Sequence, residues 1–134
     1  MQRVILKSKI HRATVTRADL DYEGSCGIGP ELLGAADIVV GEQVHVVNIT
    51  NGSRAVTYAI EGQPGEISLN GAMARIGDAG DKLIITAYAT GDDIEVRGFL
   101  PRIVHVDADN RIRNTHPTKS SDLMGAPTEK AAVN

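Results

Sequence analysis

Twenty-five of the 134 residues are Val or Ile, against eight Leu, and this bias narrows the folds open to the chain more than any other feature. β-Branched side chains lose χ1 freedom in a helix but pack well on a pleated, half-buried surface. Stretches rich in them read as strands at residues 3–6, 10–16, 43–49, 54–60, 66–69, 82–89, 95–100 and 102–107. Turn chemistry separates them. Thr50-Asn51-Gly52-Ser53 predicts a tight hairpin with positive φ at Asn-Gly, and residues 62–65, 77–81 and 91–93 are further breaks. One short helix is predicted at residues 30–36, opened by Pro30, whose missing N–H costs nothing at the first helical position. Many short strands with so little helix predict a mainly β domain, a small barrel or sandwich.

The length fits one domain. The last 21 residues hold two Pro and few large apolar side chains, Leu123, Met124 and Val133. They can bury too little to offset their ordering entropy, so residues 1–113 read as the folded domain and residues 114–134 as a mobile tail.

Composition argues against several functions. With 14 basic and 17 acidic residues the formal charge is −3, so no overall field recruits nucleic acid or an anionic membrane. Tyr22, Tyr58, Tyr88 and Phe99 are the only aromatics, too few for a base-stacking platform. No apolar run approaches the roughly 20 residues that cross a bilayer, and no apolar leader is read at the start. Cys26, the single cysteine, has no partner for an internal disulfide and suits a reducing compartment. The expectation is a soluble, cytoplasmic protein.

Charge is uneven along the chain. Residues 1–17 carry Arg3, Lys7, Lys9, Arg12 and Arg17 with no acid, whereas residues 18–66 carry eight acids and only Arg54. Two solvated faces that attract one another is the plain reading, and a basic strand gripping an anion is the sharper one. There is no Walker loop, dinucleotide fingerprint or zinc spacing, and the histidines at 11, 45, 105 and 116 lie near no second thiol, so no metal is expected. Cys26 reads as a buried hydrophobe rather than a nucleophile. Gly24-Ser25 alone is a turn dipeptide, like Gly52-Ser53.

Five segments taken in order carry more. Lys9-Ile10-His11-Arg12-Ala13-Thr14-Val15-Thr16, Tyr22-Glu23-Gly24-Ser25-Cys26, Thr50-Asn51-Gly52 with Arg54, Thr57-Tyr58-Ala59-Ile60, and Asn70-Gly71-Ala72 stand in sequence. They closely resemble the bacterial aspartate 1-decarboxylases, pyruvoyl enzymes that make β-alanine for pantothenate and so for coenzyme A. The similarity covers residues 1–107. It implies a six-stranded double-psi β-barrel with short helical segments, assembled as a homotetramer with active sites between neighbouring subunits. After cleavage that tetramer is a hetero-octamer of two chain types. The resemblance leaves room for a maturation factor as a further partner.

The resemblance also reassigns Ser25. In such enzymes the bond between the residues matching Gly24 and Ser25 breaks without a protease, which here would give chains 1–24 and 25–134. The serine hydroxyl attacks the preceding carbonyl and the acyl group moves from nitrogen to oxygen. Elimination of the ester gives dehydroalanine, and hydrolysis leaves a pyruvoyl group on the new N-terminus. Gly24, lacking Cβ, suits a strained backbone there. Thr57 matches the residue that assists this self-processing as an oxyanion donor. The covalent pyruvoyl group is then the cofactor, an electron sink to which the substrate amine joins as a Schiff base, with no pyridoxal phosphate and no metal.

The implied substrate, L-aspartate, carries two carboxylates, so a selective site wants two cations. Arg54 offers a planar fork and Lys9 a flexible point charge. Tyr58, protonated at neutral pH with a reference pKa of about 10, would return the proton to carbon. Asn70, Gly71 and Ala72 match a binding loop, and His11 and Tyr22 match further site positions. Each has a plainer reading too: solvated cations, a core tyrosine, a turn. Regular alternation over residues 54–60 puts Arg54, Val56, Tyr58 and Ile60 on one face and Thr57 on the other. Either the strand bulges or its two faces serve neighbouring sites. Val47 and Met73 depart from the family pattern, which has Trp and an alanine run there. The rivals are a pyruvoyl enzyme for another amino acid, a barrel that binds through its basic N-terminal strand, and a purely structural oligomer.

Overall fold

A computed structural model describes residues 1–117, with side chains through residue 113. The strands are β1 (Arg3–Thr14), β2 (Arg17–Asp19), β3 (Ser25–Ile28), β4 (Gln43–Asn48), β5 (Arg54–Glu61), β6 (Ile67–Asn70), β7 (Lys82–Gly91), β8 (Arg102–Val106) and β9 (Ile112–Pro117). Helix α1 (Pro30–Ala36), a 3-10 turn (Gly71–Arg75) and helix α2 (Asp93–Arg97) complete the order. The chain is mainly β, as its β-branched excess predicts. The strands pair in the order β2-β6-β3-β5-β4-β7-β1-β8-β9. That is nine paired segments among the described residues where the resemblance implies six in its barrel, with the three-residue β2 and the six-residue β9 at the two ends of the order.

Residues 3–6 and 10–14 are joined in one strand, because Ser8 and Lys9 continue the pairing of β1 with β7 beyond the shift at Lys7. Two register shifts interrupt that pairing, at Leu6/Ser8 and at His11/Ala13. The second passes through Arg12, a non-glycine residue at φ 67. A bulge adds one residue to one strand and re-aims the side chains beyond it. Its effect is visible in burial: Ile10 and Ala13 are both fully buried, whereas His11 between them is not.

The core face is set directly by register. Ile10 pairs Ile85, Ile85 pairs Val46 and Val46 pairs Ala55, so one row of aliphatics crosses four strands. Ile28, Leu32, Ile67, Leu69, Leu83, Val44 and Val104 join it fully buried. Each such side chain contributes roughly 1.5–3 kcal/mol of burial. Helix α1 forms where predicted and lays Leu32, Leu33 and Ala36 on this core. Asp37 ends it in the left-handed region at φ 53, its N–H bonding the Gly34 and Leu33 carbonyls.

Four expectations are corrected. Residues 95–100 are not a strand, since Asp93–Arg97 is helix α2. Its cause is a capping box in which Asp92 accepts from the Glu95 N–H and the Glu95 carboxylate accepts from the Asp92 N–H. The β4–β5 hairpin has positive φ at Gly52 (φ 81) and not at Asn51. Asn48 accepts from the N–H groups of Thr50 and Asn51 and builds a wider loop. Residues 25–28, not among the strands read from the sequence, form strand β3 between β5 and β6. Finally, residues 114–117 lie in β9, paired with β8, beyond the boundary set at 113. The rest of the expected tail lies outside the described residues. No helix among the described residues is long and apolar enough to cross a membrane.

Candidate active site

Ser25 opens β3 and is 1% exposed. Antiparallel register sets it opposite Asn70 and sets Gly27 opposite Ser68. The Ser25 hydroxyl donates to the Glu23 carbonyl at 3.0 Å and accepts from Asn70 Nδ2 at 3.1 Å. Asn70 is itself fully buried and also donates to Ser68 Oγ at 3.3 Å. Its Oδ1 is buried with no hydrogen-bond partner among the described residues. An unsatisfied acceptor of this kind is costly, which makes it a marker of a site.

Tyr22, Glu23 and Gly24 form an exposed loop immediately before Ser25. Gly24 has no positive φ, and a Cβ there would meet only the Asn70 carbonyl, at 3.9 Å. The expected backbone strain at Gly24 is therefore absent. Gly71, which succeeds Asn70 into the 3-10 turn, does have a positive φ of 64. Ala72 is exposed on the same turn.

The cationic residues lie elsewhere on the sheet. Arg54 pairs Val47, Val47 pairs Ile84, Ile84 pairs His11 and His11 pairs His105, so these five residues form one cross-strand row. The next row on that face runs Val56, His45, Thr86, Lys9 and Ile103. Lys9, His11 and Arg54 thus share the face opposite Ile10, with β1 three strands from β5 in the pairing order. At the usual 4.7–4.9 Å strand spacing, that separation is about 14 Å between backbones.

Pairing of β5 with β4 is unbroken from Arg54 to Tyr58. Arg54, Val56 and Tyr58 are exposed while Ala55, Thr57 and Ala59 turn inward, so β5 does not bulge here. Thr57 and Tyr58 point to opposite faces, as alternation predicts. In the parallel β3–β5 pair Cys26 stands beside Ala59, so Ser25 begins at the level of Tyr58.

Burial lowers the Lys9 pKa from its ordinary value. His11 is pushed down to about 4, chiefly by burial and then by the charges of Lys9, His105 and Arg12. It is accordingly neutral at pH 7. Its Nδ1 is buried without a hydrogen-bond partner among the described residues, and its ring meets that of His105 edge-on, with centroids 5.5 Å apart. Arg54 is exposed and makes no ion pair among the described residues. Cys26 is fully buried and burial pushes its thiol up to about 12, which removes it as a nucleophile at neutral pH.

Within one chain, then, Ser25, Gly24, Tyr22, Asn70, Gly71 and Ala72 gather at the β3–β6 end, with Tyr58 level with them. Lys9, His11 and Arg54 stand apart on the open face. A concavity of about 390 Å³ on that face, lined by Val4, Glu42, Gln43, His45, Tyr88 and Thr90, contains none of these residues. Two neighbours went unread in the sequence. Ser68 shares a face with Asn70 by simple alternation along β6, a legible signal. His105 meets His11 only through β1–β8 register, which no local pattern shows.

The chain matches the family model described as "Aspartate decarboxylase" over residues 1–113. It is 57% identical over 112 residues to an aspartate 1-decarboxylase of Herminiimonas arsenicoxydans, covering 82% of this chain and 94% of the relative. It is 57% identical over 128 residues to that of Mycolicibacterium smegmatis, covering 94% of each. To that of Albidiferax ferrireducens it is 52% identical over 116 residues, covering 85% of this chain and 86% of the relative. The chain therefore belongs to the aspartate decarboxylase family.

Proposed function

We propose that this chain cleaves itself between Gly24 and Ser25 and then removes the α-carboxylate of L-aspartate, giving β-alanine and CO2 for pantothenate and coenzyme A synthesis. The observation that carries the reading is the setting of Ser25. Its hydroxyl is dry, hydrogen-bonded on both sides, and attached to a loop that is itself open to solvent.

In the cleavage, Ser25 Oγ adds to the Gly24 carbonyl carbon and gives up its proton, which ends on the departing Ser25 nitrogen. The Gly24–Ser25 amide bond breaks as the ester forms. Loss of the Ser25 Cα proton then expels the Gly24 carboxylate, and water removes the nitrogen as ammonia to leave the ketone. Thr57, on the face of β5 opposite Tyr58, is the donor we assign to the oxyanion at a neighbouring copy's cleavage site. Asn70, already bonded to Ser25 Oγ, holds that oxygen in place. These residues fit a pyruvoyl group at position 25, since Asn70 Nδ2, which bonds the Ser25 side chain, can donate to a carbonyl oxygen there.

Once formed, the pyruvoyl group supplies a ketone for the substrate amine and the sink for the electrons of the broken carbon–carbon bond. The chain's own residues do the rest. Arg54 and Lys9 hold the two carboxylates, and the exposed, uncommitted Arg54 guanidinium suits a fork-like grip. The Tyr58 hydroxyl returns a proton to carbon. Neutral His11 donates or accepts a hydrogen bond rather than adding charge, and Tyr22, Gly71 and Ala72 border the site.

We further propose that the site is completed between copies in a homotetramer, a hetero-octamer after cleavage, built on a double-psi barrel. Val56 (55% exposed), Tyr58 (40%) and Tyr88 (41%) leave an apolar face beside Arg54 and Lys9 that a second copy would cover. A single free cysteine accords with a cytoplasmic setting.

Intact-mass measurement on purified protein tests the proposal. The 25–134 chain should appear, react with a carbonyl reagent at its N-terminus, and accompany β-alanine production from L-aspartate. A lasting 134-residue species that nevertheless yields β-alanine would overturn it.

A further inference from the structure

The tightest backbone approach at the cleavage loop falls not on Gly24 but on Gly71. A Cβ built on Gly71 would stand 2.7 Å from both the nitrogen and the Cα of Gly24, and 2.9 Å from the Tyr22 carbonyl oxygen. Real Cβ atoms do not approach backbone so closely, and ordinary contact begins at 3.4 Å. All three atoms are main chain, so no side-chain rotamer can relieve the overlap. Gly71 also sits at φ 64, a conformation that side-chain-bearing residues rarely take.

We infer that Gly71 is a positioning residue for self-cleavage: the missing side chain lets the Tyr22–Gly24 loop lie against the Asn70–Gly71 turn and so fixes the Gly24 carbonyl relative to Ser25 Oγ. This rests on the cleavage reading above and adds to it a steric requirement from the 3-10 turn that follows β6. The chain of contacts is short. Asn70 holds Ser25 Oγ from one side of this turn, and Gly71, the next residue, sets how near the attacked segment can come. Nucleophile and electrophile are thereby registered by adjacent residues where β6 passes into the 3-10 turn. A Cβ at position 71 would displace Gly24 by about 0.7 Å to reach ordinary contact. Misplacing reacting atoms by about 1 Å can cost on the order of 10²-fold in rate.

The test compares Gly71→Ala and Gly71→Asn with Gly80→Ala, each in the full chain. Asn tolerates positive φ better than Ala but carries the same Cβ. Gly80 also has positive φ, 96, yet a Cβ there meets nothing within 4 Å, so it reports backbone strain alone. The readout is the first-order rate at which the 25–134 chain appears by intact mass, at a fixed interval below each variant's own Tm. Wild type and Gly80→Ala are expected to cleave at the same rate, and whichever Gly71 variants fold should cleave at least about tenfold more slowly. A Gly71 variant slowed less than that, equal slowing in Gly80→Ala, or failure of both Gly71 variants to fold would overturn the inference while wild-type cleavage still stood. Failure of the wild type to cleave would remove the cleavage reading itself, and this inference with it.

Discussion

Asn70 Nδ2 reaches Ser25 Oγ across 3.1 Å because the two residues are a register pair of β6 and β3. Ser25 thereby has its lone pair engaged by a donor and its proton engaged by the Glu23 carbonyl. The hydroxyl is held in one place by two bonds, so its chemistry is sensitive to both partners. Asn70→Ala removes one of them and leaves Ser68 without its donor. A hydrogen bond of this kind contributes about 0.5–1.5 kcal/mol, so cleavage should slow by up to about tenfold. Intact-mass time courses check it.

Ser25→Ala removes the attacking oxygen but no buried bulk. The variant should stay a single 134-residue chain, bind no carbonyl reagent and still fold. Mass spectrometry and a thermal melt decide both halves.

Arg54 is exposed at the end of β5 and holds no ion pair among the described residues, so its removal should leave folding and cleavage intact. Loss of a charge-assisted bond costs about 1.5–3 kcal/mol, so Arg54→Ala should lower kcat/KM for aspartate by roughly 10- to 100-fold. Steady-state kinetics normalised to pyruvoyl content measures it.

His11 is held neutral, with its pKa depressed to about 4 from an ordinary value of 6.5, mainly by burial. The unfolded chain therefore binds more protons than the folded one between those values, and stability falls as pH drops through that window. His11→Gln lacks the titration. The Tm advantage of wild type over His11→Gln should shrink from pH 7 to pH 4, as read by melts at several pH values.

Strand β9 carries residues 114–117, so a chain ended after Arg113 loses four residues paired with β8. Its Tm should lie several degrees below that of a chain ended after Pro117, about 4–8 °C for each 1 kcal/mol in a domain of this size. Equal melting temperatures would show that those pairings contribute nothing.

How legible the protein was depends on which distances matter. Val and Ile spacing was enough for β4, β5, β7 and β8, because alternation is a property of neighbours in the chain. The helix at residues 30–36 was legible from Pro30 for the same reason. Residues 95–100 depart from the strand expected of them although Asp92 and Glu95 announce a capping box, since Val96 and Phe99 favour a strand reading. Strand β3 carries no comparable signal, because Ser25, Cys26 and Gly27 are small and owe their extended form to flanking strands.

The order of the five segments around Lys9, Gly24-Ser25, Arg54, Thr57-Tyr58 and Asn70 was written in the chain, and it sufficed to assign the family. What the chain alone could not decide was who stands beside whom. Register across strands far apart in sequence put Asn70 on Ser25, set His11 against His105, and aligned Arg54 with His11 through Val47 and Ile84. The same long-range packing moved the need for glycine from position 24 to position 71. Local sequence determines which face a side chain takes, because alternation is local; it does not determine what waits on that face, because pairing partners are selected only when the whole sheet assembles.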